Sequence, residues 1–143
     1  MNVSFGARNR FRPCLHGLLS ATCLLLAAGC GGASRGAVNG KVTLDGKPVD
    51  GGMISFIPET AEQGKPAWTD IVAGEYSLDV SRGPAVGPNR VEIRWLRKTG
   101  RKSPYDPHLD EMREAVPDRY NSDSELRVEV KSGANQFDFK LSE

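Results

Sequence analysis

The chain has 143 residues, 38% hydrophobic and 26% charged, with a formal net charge of +1. That length allows one domain with a core of ordinary size, and the near balance of charge excludes a general nucleic-acid binder. All three cysteines, Cys14, Cys23 and Cys30, fall within the first 30 residues. No disulfide framework can therefore span the rest of the chain, and its stability must come from apolar burial.

The chain opens with Arg8, Arg10 and Arg12 and no acidic residue, followed by an apolar stretch over residues 15–29 that closes on Leu24-Leu25-Leu26-Ala27-Ala28-Gly29-Cys30. This basic, apolar and small-residue order is that of a secretory signal helix, and its end looks like a bacterial lipobox, with Ala27 where such boxes usually carry Leu. A transmembrane helix is the competing reading, but the stretch contains His16 and falls short of the ~20 residues a span needs. The expectation is cleavage between Gly29 and Cys30, removal of residues 1–29, and lipidation of Cys30 by palmitate-class acyl chains. Two or more chains are needed for stable anchoring. The three leader arginines leave with the signal, so 19 basic against 18 acidic residues becomes 16 against 18, a net charge of −2.

Residues 30–37 are small and flexible, a tether that lets a domain stand off a membrane. From Val38 the pattern turns to alternation. Val42 and Leu44 share one face of a strand that ends at Asp45-Gly46, a strong tight-turn dipeptide. Residues 53–57 form a short apolar run stopped by Pro58, residues 59–66 a loop, and residues 68–72 a strand before the turn at Gly74. Tyr76, Leu78 and Val80 alternate with Glu75, Ser77 and Asp79; Val91, Ile93 and Trp95 with Arg90, Glu92 and Arg94; Leu126, Val128 and Val130 with Arg127, Glu129 and Lys131. Phe137, Phe139 and Leu141 close the series. Such half-buried strands, about seven in number and punctuated by Gly and Pro, predict an all-β fold: one antiparallel seven-stranded sandwich over residues 38–143.

Between Leu96 and Tyr120 the alternation stops and charge segregates. Arg97, Lys98, Arg101 and Lys102 precede Asp106, Asp110, Glu111, Glu114 and Asp118, with Arg113 the exception among the acids. Asp106-Pro107 suits a helix cap and first position, and Leu109, Met112 and Val116 recur at helical spacing, which predicts one short helix inside a long loop. A connection of that length is functional or poorly ordered.

The order of these signals resembles the carboxypeptidase regulatory-like domains, a transthyretin-like, Ig-like Greek-key sandwich family found in small bacterial lipoproteins. The resemblance rests on Gly40-Lys41-Val42-Thr43-Leu44-Asp45-Gly46-Lys47-Pro48-Val49, Gly74-Glu75-Tyr76-Ser77-Leu78, Gly87-Pro88-Asn89-Arg90-Val91-Glu92-Ile93 and Val116-Pro117-Asp118-Arg119-Tyr120-Asn121, then residues 124–130 and 135–141. It implies a non-catalytic accessory module.

Catalysis outside the leader would have to manage with one histidine, His108. Asp106 and Asp110 flank it and could hold a weakly bound divalent ion, but with no cysteine or second histidine beside them a solvated helix start is the better reading and no metal is expected. No serine sits in a Gly-x-Ser-x-Gly turn, and Gly46-Lys47-Pro48 and Gly64-Lys65-Pro66 lack phosphate-loop spacing. No enzyme and no cofactor is expected. The expected product is a cell-envelope lipoprotein on the exported face of the cell membrane or outer membrane, with a structural or binding module. Its candidate binding residues are Arg97, Lys98, Arg101, Lys102 and Tyr105, and its expected partners are the membrane and an envelope protein or polysaccharide, not nucleic acid. The alternative is a carbohydrate-binding module that uses residues 96–120, with Tyr105 as the exposed aromatic and Trp95 in the core.

Overall fold

The computed structural model describes residues 34–143. Gly29, Cys30, the signal helix and residues 30–33 of the tether lie outside the described residues. The strands, in chain order, are β1 (Gly36–Leu44), β2 (Lys47–Pro48), β3 (Gly52–Pro58), β4 (Ala67–Ile71), β5 (Glu75–Leu78), β6 (Gly87–Arg94), β7 (Leu96–Lys102), β8 (Asp110–Glu114), β9 (Arg127–Val130), β10 (Gly133–Gln136) and β11 (Phe139–Leu141). The described chain is all-β, and its helical content is limited to two three-residue 3-10 turns, Ala61–Gln63 and Asp118–Tyr120.

Two sheets share the core. In the first, β1 is central: one edge pairs β5 and then β2, both antiparallel, while the other pairs β10 and then β11, both parallel. The second runs β4-β3-β6-β9, antiparallel throughout. The expectation of seven strands in a wholly antiparallel arrangement is thus corrected. Eleven strands are present among the described residues, and the return of the C-terminal segment to the side of β1 makes parallel ladders, which only a long crossover permits. β1 also begins at Gly36, so the last two residues read as tether belong to the sheet.

Local sequence explains most of the strand limits. Asp45 (φ 48°) and Gly46 (φ 76°) both take the left-handed conformation of a two-residue type I′ turn, whose twist matches the flanking strands, so Leu44 pairs with Lys47. β5 ends at Leu78 because Asp79 turns the chain: its carboxylate accepts from Ser81 Oγ at 2.6 Å and from Arg82 N at 3.1 Å. Val80, expected on the apolar face of this strand, is therefore 51% exposed.

The inner faces meet in one cluster that joins Val38, Val42, Leu44, Tyr76, Leu78, Phe139 and Leu141 to Ile54, Phe56, Ile71, Val91, Ile93 and Val130. Val128, Phe137, Leu126 and Trp95 pack at its margin, half-buried. Tyr76 bridges the layers, its ring 5.9 Å from Phe56 and 6.3 Å from Phe139, and its hydroxyl donates to the Phe137 carbonyl at 2.8 Å. Burial, reinforced by the charge of Asp138, pushes this phenol far above the ordinary tyrosine range. Among the described residues the whole core lies between Val38 and Leu141, and every strand finds its partner within the same stretch. The unit thus supplies its own core and ladders, which is what a domain needs to fold alone.

Candidate functional site

Residues 96–120 do not form a helix in a loop. β7 and β8 pair with each other and with no other strand among the described residues, as an antiparallel hairpin with Leu96 opposite Glu114, Arg97 opposite Arg113, Lys98 opposite Met112 and Lys102 opposite Asp110. The helical spacing of Leu109, Met112 and Val116 is coincidental: Leu109 and Met112 are exposed, and only Val116 reaches the core. Asp106-Pro107 opens a turn instead, since the Asp106 carboxylate accepts from His108 N at 2.8 Å and its carbonyl from Leu109 N at 3.1 Å. A bond from Ser103 N to the Leu109 carbonyl closes the loop. The register slips between Lys98 and Lys102, at Gly100, whose φ of 82° is inexpensive only for glycine.

Cross-strand charge holds the hairpin. On one face Asp110 pairs with both lysines, at 2.7 Å to Lys98 Nζ and 2.9 Å to Lys102 Nζ. On the other, Glu111 receives Arg101 Nε at 2.9 Å and the Thr99 hydroxyl at 2.6 Å. These bonds hold both carboxylates below the ordinary acidic range and raise Lys98. At the base, Glu114 accepts from Trp95 N at 2.7 Å and from Val116 N at 3.2 Å, tying the hairpin to the domain.

The predicted binding residues are therefore in three different situations. Lys98, Lys102 and Arg101 are engaged by the acidic strand. Arg97 makes no ion pair among the described residues; its guanidinium lies 4.8 Å from the centre of the Trp95 ring, a cation–π distance. Tyr105 is 96% exposed at the loop between β7 and β8. Trp68, 62% exposed on β4, lines a separate hollow with Arg82, so the two most exposed aromatics do not share a groove.

Sequence reasoning missed Arg113, which stands directly opposite Arg97, and the buried polar groups that shape the base. Asn121 donates to the Val116 carbonyl at 2.7 Å and to that of Pro117 at 3.3 Å. Ser124 donates to the Val91 carbonyl, and Asn89 to those of Ala85 and Gly87. A signal existed only for Arg113, as the one base within the acidic run. No group of three metal-ligating side chains occurs among the described residues, and exposed His108 makes no side-chain hydrogen bond there. A hollow of about 740 Å³ opens over β1, β5 and the end of β4; its Lys41 and Glu75 pair with each other at 3.2 Å, and it holds no histidine or cysteine.

Comparison of the chain with known protein families, with curated proteins and with solved structures finds no match.

Proposed function

We propose that this chain is an exported lipoprotein, anchored through Cys30 to the cell membrane or outer membrane, whose β domain serves the envelope as a non-catalytic structural or binding module. The observation that carries the reading is the apolar run ending Ala28-Gly29-Cys30, placed just ahead of a domain whose first strand starts at Gly36. A cysteine there, with its acyl chains, leaves a short spacer and then a domain whose core, among the described residues, runs from Val38 to Leu141. The resemblance to transthyretin-like regulatory domains is supported by two sheets around one core.

Expression in a lipoprotein-processing bacterium, with intact-mass measurement of the membrane fraction, tests the reading. The expected species begins at Cys30 and carries diacylglycerol plus an acyl chain, while Cys30→Ser stays uncleaved or is released without lipid. An unmodified Cys30 within an uncleaved chain would refute it.

A further inference from the structure

Three features outside this reading compete for a role: the wide hollow over β1 and β5, the exposed Trp68 beside Arg82, and the two arginines that face each other across the hairpin. The first pairs Lys41 with Glu75 and is left with one carboxylate, Asp70, and no histidine or cysteine beside it, and the second offers a single exposed aromatic. The third carries an inference.

We infer that Arg97 and Arg113 form an oxyanion site that takes a phosphate group. The two residues are register partners on adjacent strands, and like charges directly opposite one another across an antiparallel pair are destabilising. The rest of the hairpin avoids that arrangement, because each neighbouring cation faces a carboxylate: Lys98 and Lys102 share Asp110, and Arg101 holds Glu111. Alternation places Arg97, Thr99 and Arg101 on one face, and the contacts agree, since Thr99 and Arg101 both reach Glu111 whereas Lys98 and Lys102 both reach Asp110. This face therefore sets three guanidiniums against one carboxylate, an excess of positive charge that free phosphate would largely offset and a singly charged phosphodiester headgroup would reduce.

The local shape suits the charge. Arg97, Thr99 and Arg113 line a hollow of about 410 Å³ together with Lys98, Glu114 and Ala115. Lys98 is engaged by Asp110, and Glu114 is turned to the backbone N–H groups of Trp95 and Val116. Packing over Trp95 limits the freedom of Arg97 and so reduces the ordering cost of binding. Two guanidinium forks can bridge the several oxygens of a tetrahedral phosphate, whereas a single carboxylate is matched by one fork. The phosphate can come from a free ion or from a phospholipid headgroup. The site belongs to the hairpin and stands whether or not Cys30 carries lipid.

The test uses the domain of residues 31–143 with two probes, inorganic phosphate and vesicles of phosphatidylglycerol, against chloride at matched ionic strength and vesicles of phosphatidylcholine. The NMR signals of the arginine Nε–H groups should shift saturably for Arg97 and Arg113 and not for Arg82. Arg113→Gln should weaken binding at least tenfold and, without anion, should raise the melting temperature slightly, because the like-charge opposition is gone. Arg113→Lys keeps the charge and loses the fork, and should bind with intermediate strength. Phosphate should raise the melting temperature of the wild type and leave that of Arg113→Gln unchanged. A response to phosphate assigns a free ion, and a response to phosphatidylglycerol alone assigns a headgroup; either supports the site. No response to either probe, an equal response to chloride, or equal binding by wild type and Arg113→Gln would overturn it.

Discussion

The two packed sheets and the β7–β8 hairpin are built from the same backbone ladder and held by opposite means. In the sheets every strand but the short β2 and β10 turns an apolar face inward, and Ile54, Phe56, Val91 and Ile93 are completely buried. In the hairpin no residue of either strand is fully buried; apolar Leu96 and Met112 are exposed, and the pairing rests on carboxylates facing cations. Burial is non-directional and large per residue, whereas exposed ion pairs are weak and salt-sensitive. One part of the molecule should therefore set global stability and the other should be free to carry recognition.

Truncation inside the core should give the largest effect. Phe56 is fully buried between the sheets, and Phe56→Ala should cost about 3 to 5 kcal/mol from lost transfer energy and the cavity left behind. Met112→Ala in the hairpin should stay within about 0.5 kcal/mol, as for most surface changes. Chemical denaturation of the two variants measures both, and comparable midpoints would break the contrast.

The next effect belongs to the seam between the regions. Asn121→Ala removes the donor from the buried Val116 carbonyl and the half-buried Pro117 carbonyl, and a buried acceptor left unpaired costs about 1 to 3 kcal/mol. Thr99→Val, which removes an equally direct bond to Glu111 on the hairpin, should shift the same denaturation midpoint much less, because water replaces the lost partner.

This difference in cohesion also decided what was legible in the sequence. Tyr76 with Leu78, and Val91 with Ile93, could be placed in the core because a strand with one wet face writes its burial as a period of two. β7 wrote nothing comparable, since neither of its faces meets the core, and the chance recurrence of Leu109, Met112 and Val116 imitated a helix. The segregation of charge along residues 94–118 was plain, but segregation does not give register. That Lys98 and Lys102 converge on Asp110, while Arg97 is left facing Arg113, depends on the irregularity at Gly100 and the seven-residue loop 103–109. Val80 misled for a related reason, because the Asp79 turn ends the strand before its alternation does.

Removal of the hairpin sharpens the comparison further. Replacing residues 98–112 with a short Gly/Ser turn keeps Trp95, Glu114 and Val116, whose bonds anchor the base. The melting temperature should move by only a few degrees, in line with about 1 kcal/mol or less for a domain of this size. Extending the replacement through Val116 should cost far more, since that side chain lies in the core. Equal losses for the two deletions would mean that the hairpin itself supports the sheets.

Acid should separate the two regions most gently. Asp110 and Glu111 are held below the ordinary carboxylate range, Asp110 by bonds from Lys98 and Lys102 and Glu111 by bonds from Thr99 and Arg101. A carboxylate whose folded value is depressed contributes stability that is present above its unfolded value and is lost as pH falls through the folded one. Lys98 has the opposite dependence: its raised folded value gives a contribution that persists below the ordinary lysine range and disappears only as pH rises through that value. Through neutral pH the hairpin should thus stay paired, and it should loosen on the acid side as both carboxylates take up protons. The amide shifts of Lys98, Thr99, Asp110 and Glu111 should move together through that acid transition, while those of Ile54, Val91 and Ile93 hold their positions until the domain unfolds globally. Asp110→Asn should remove the transition at Lys98 and leave the one at Thr99 in place, because the two carboxylates serve opposite faces. A single transition shared by hairpin and core would show that charge and burial are not separable in this molecule.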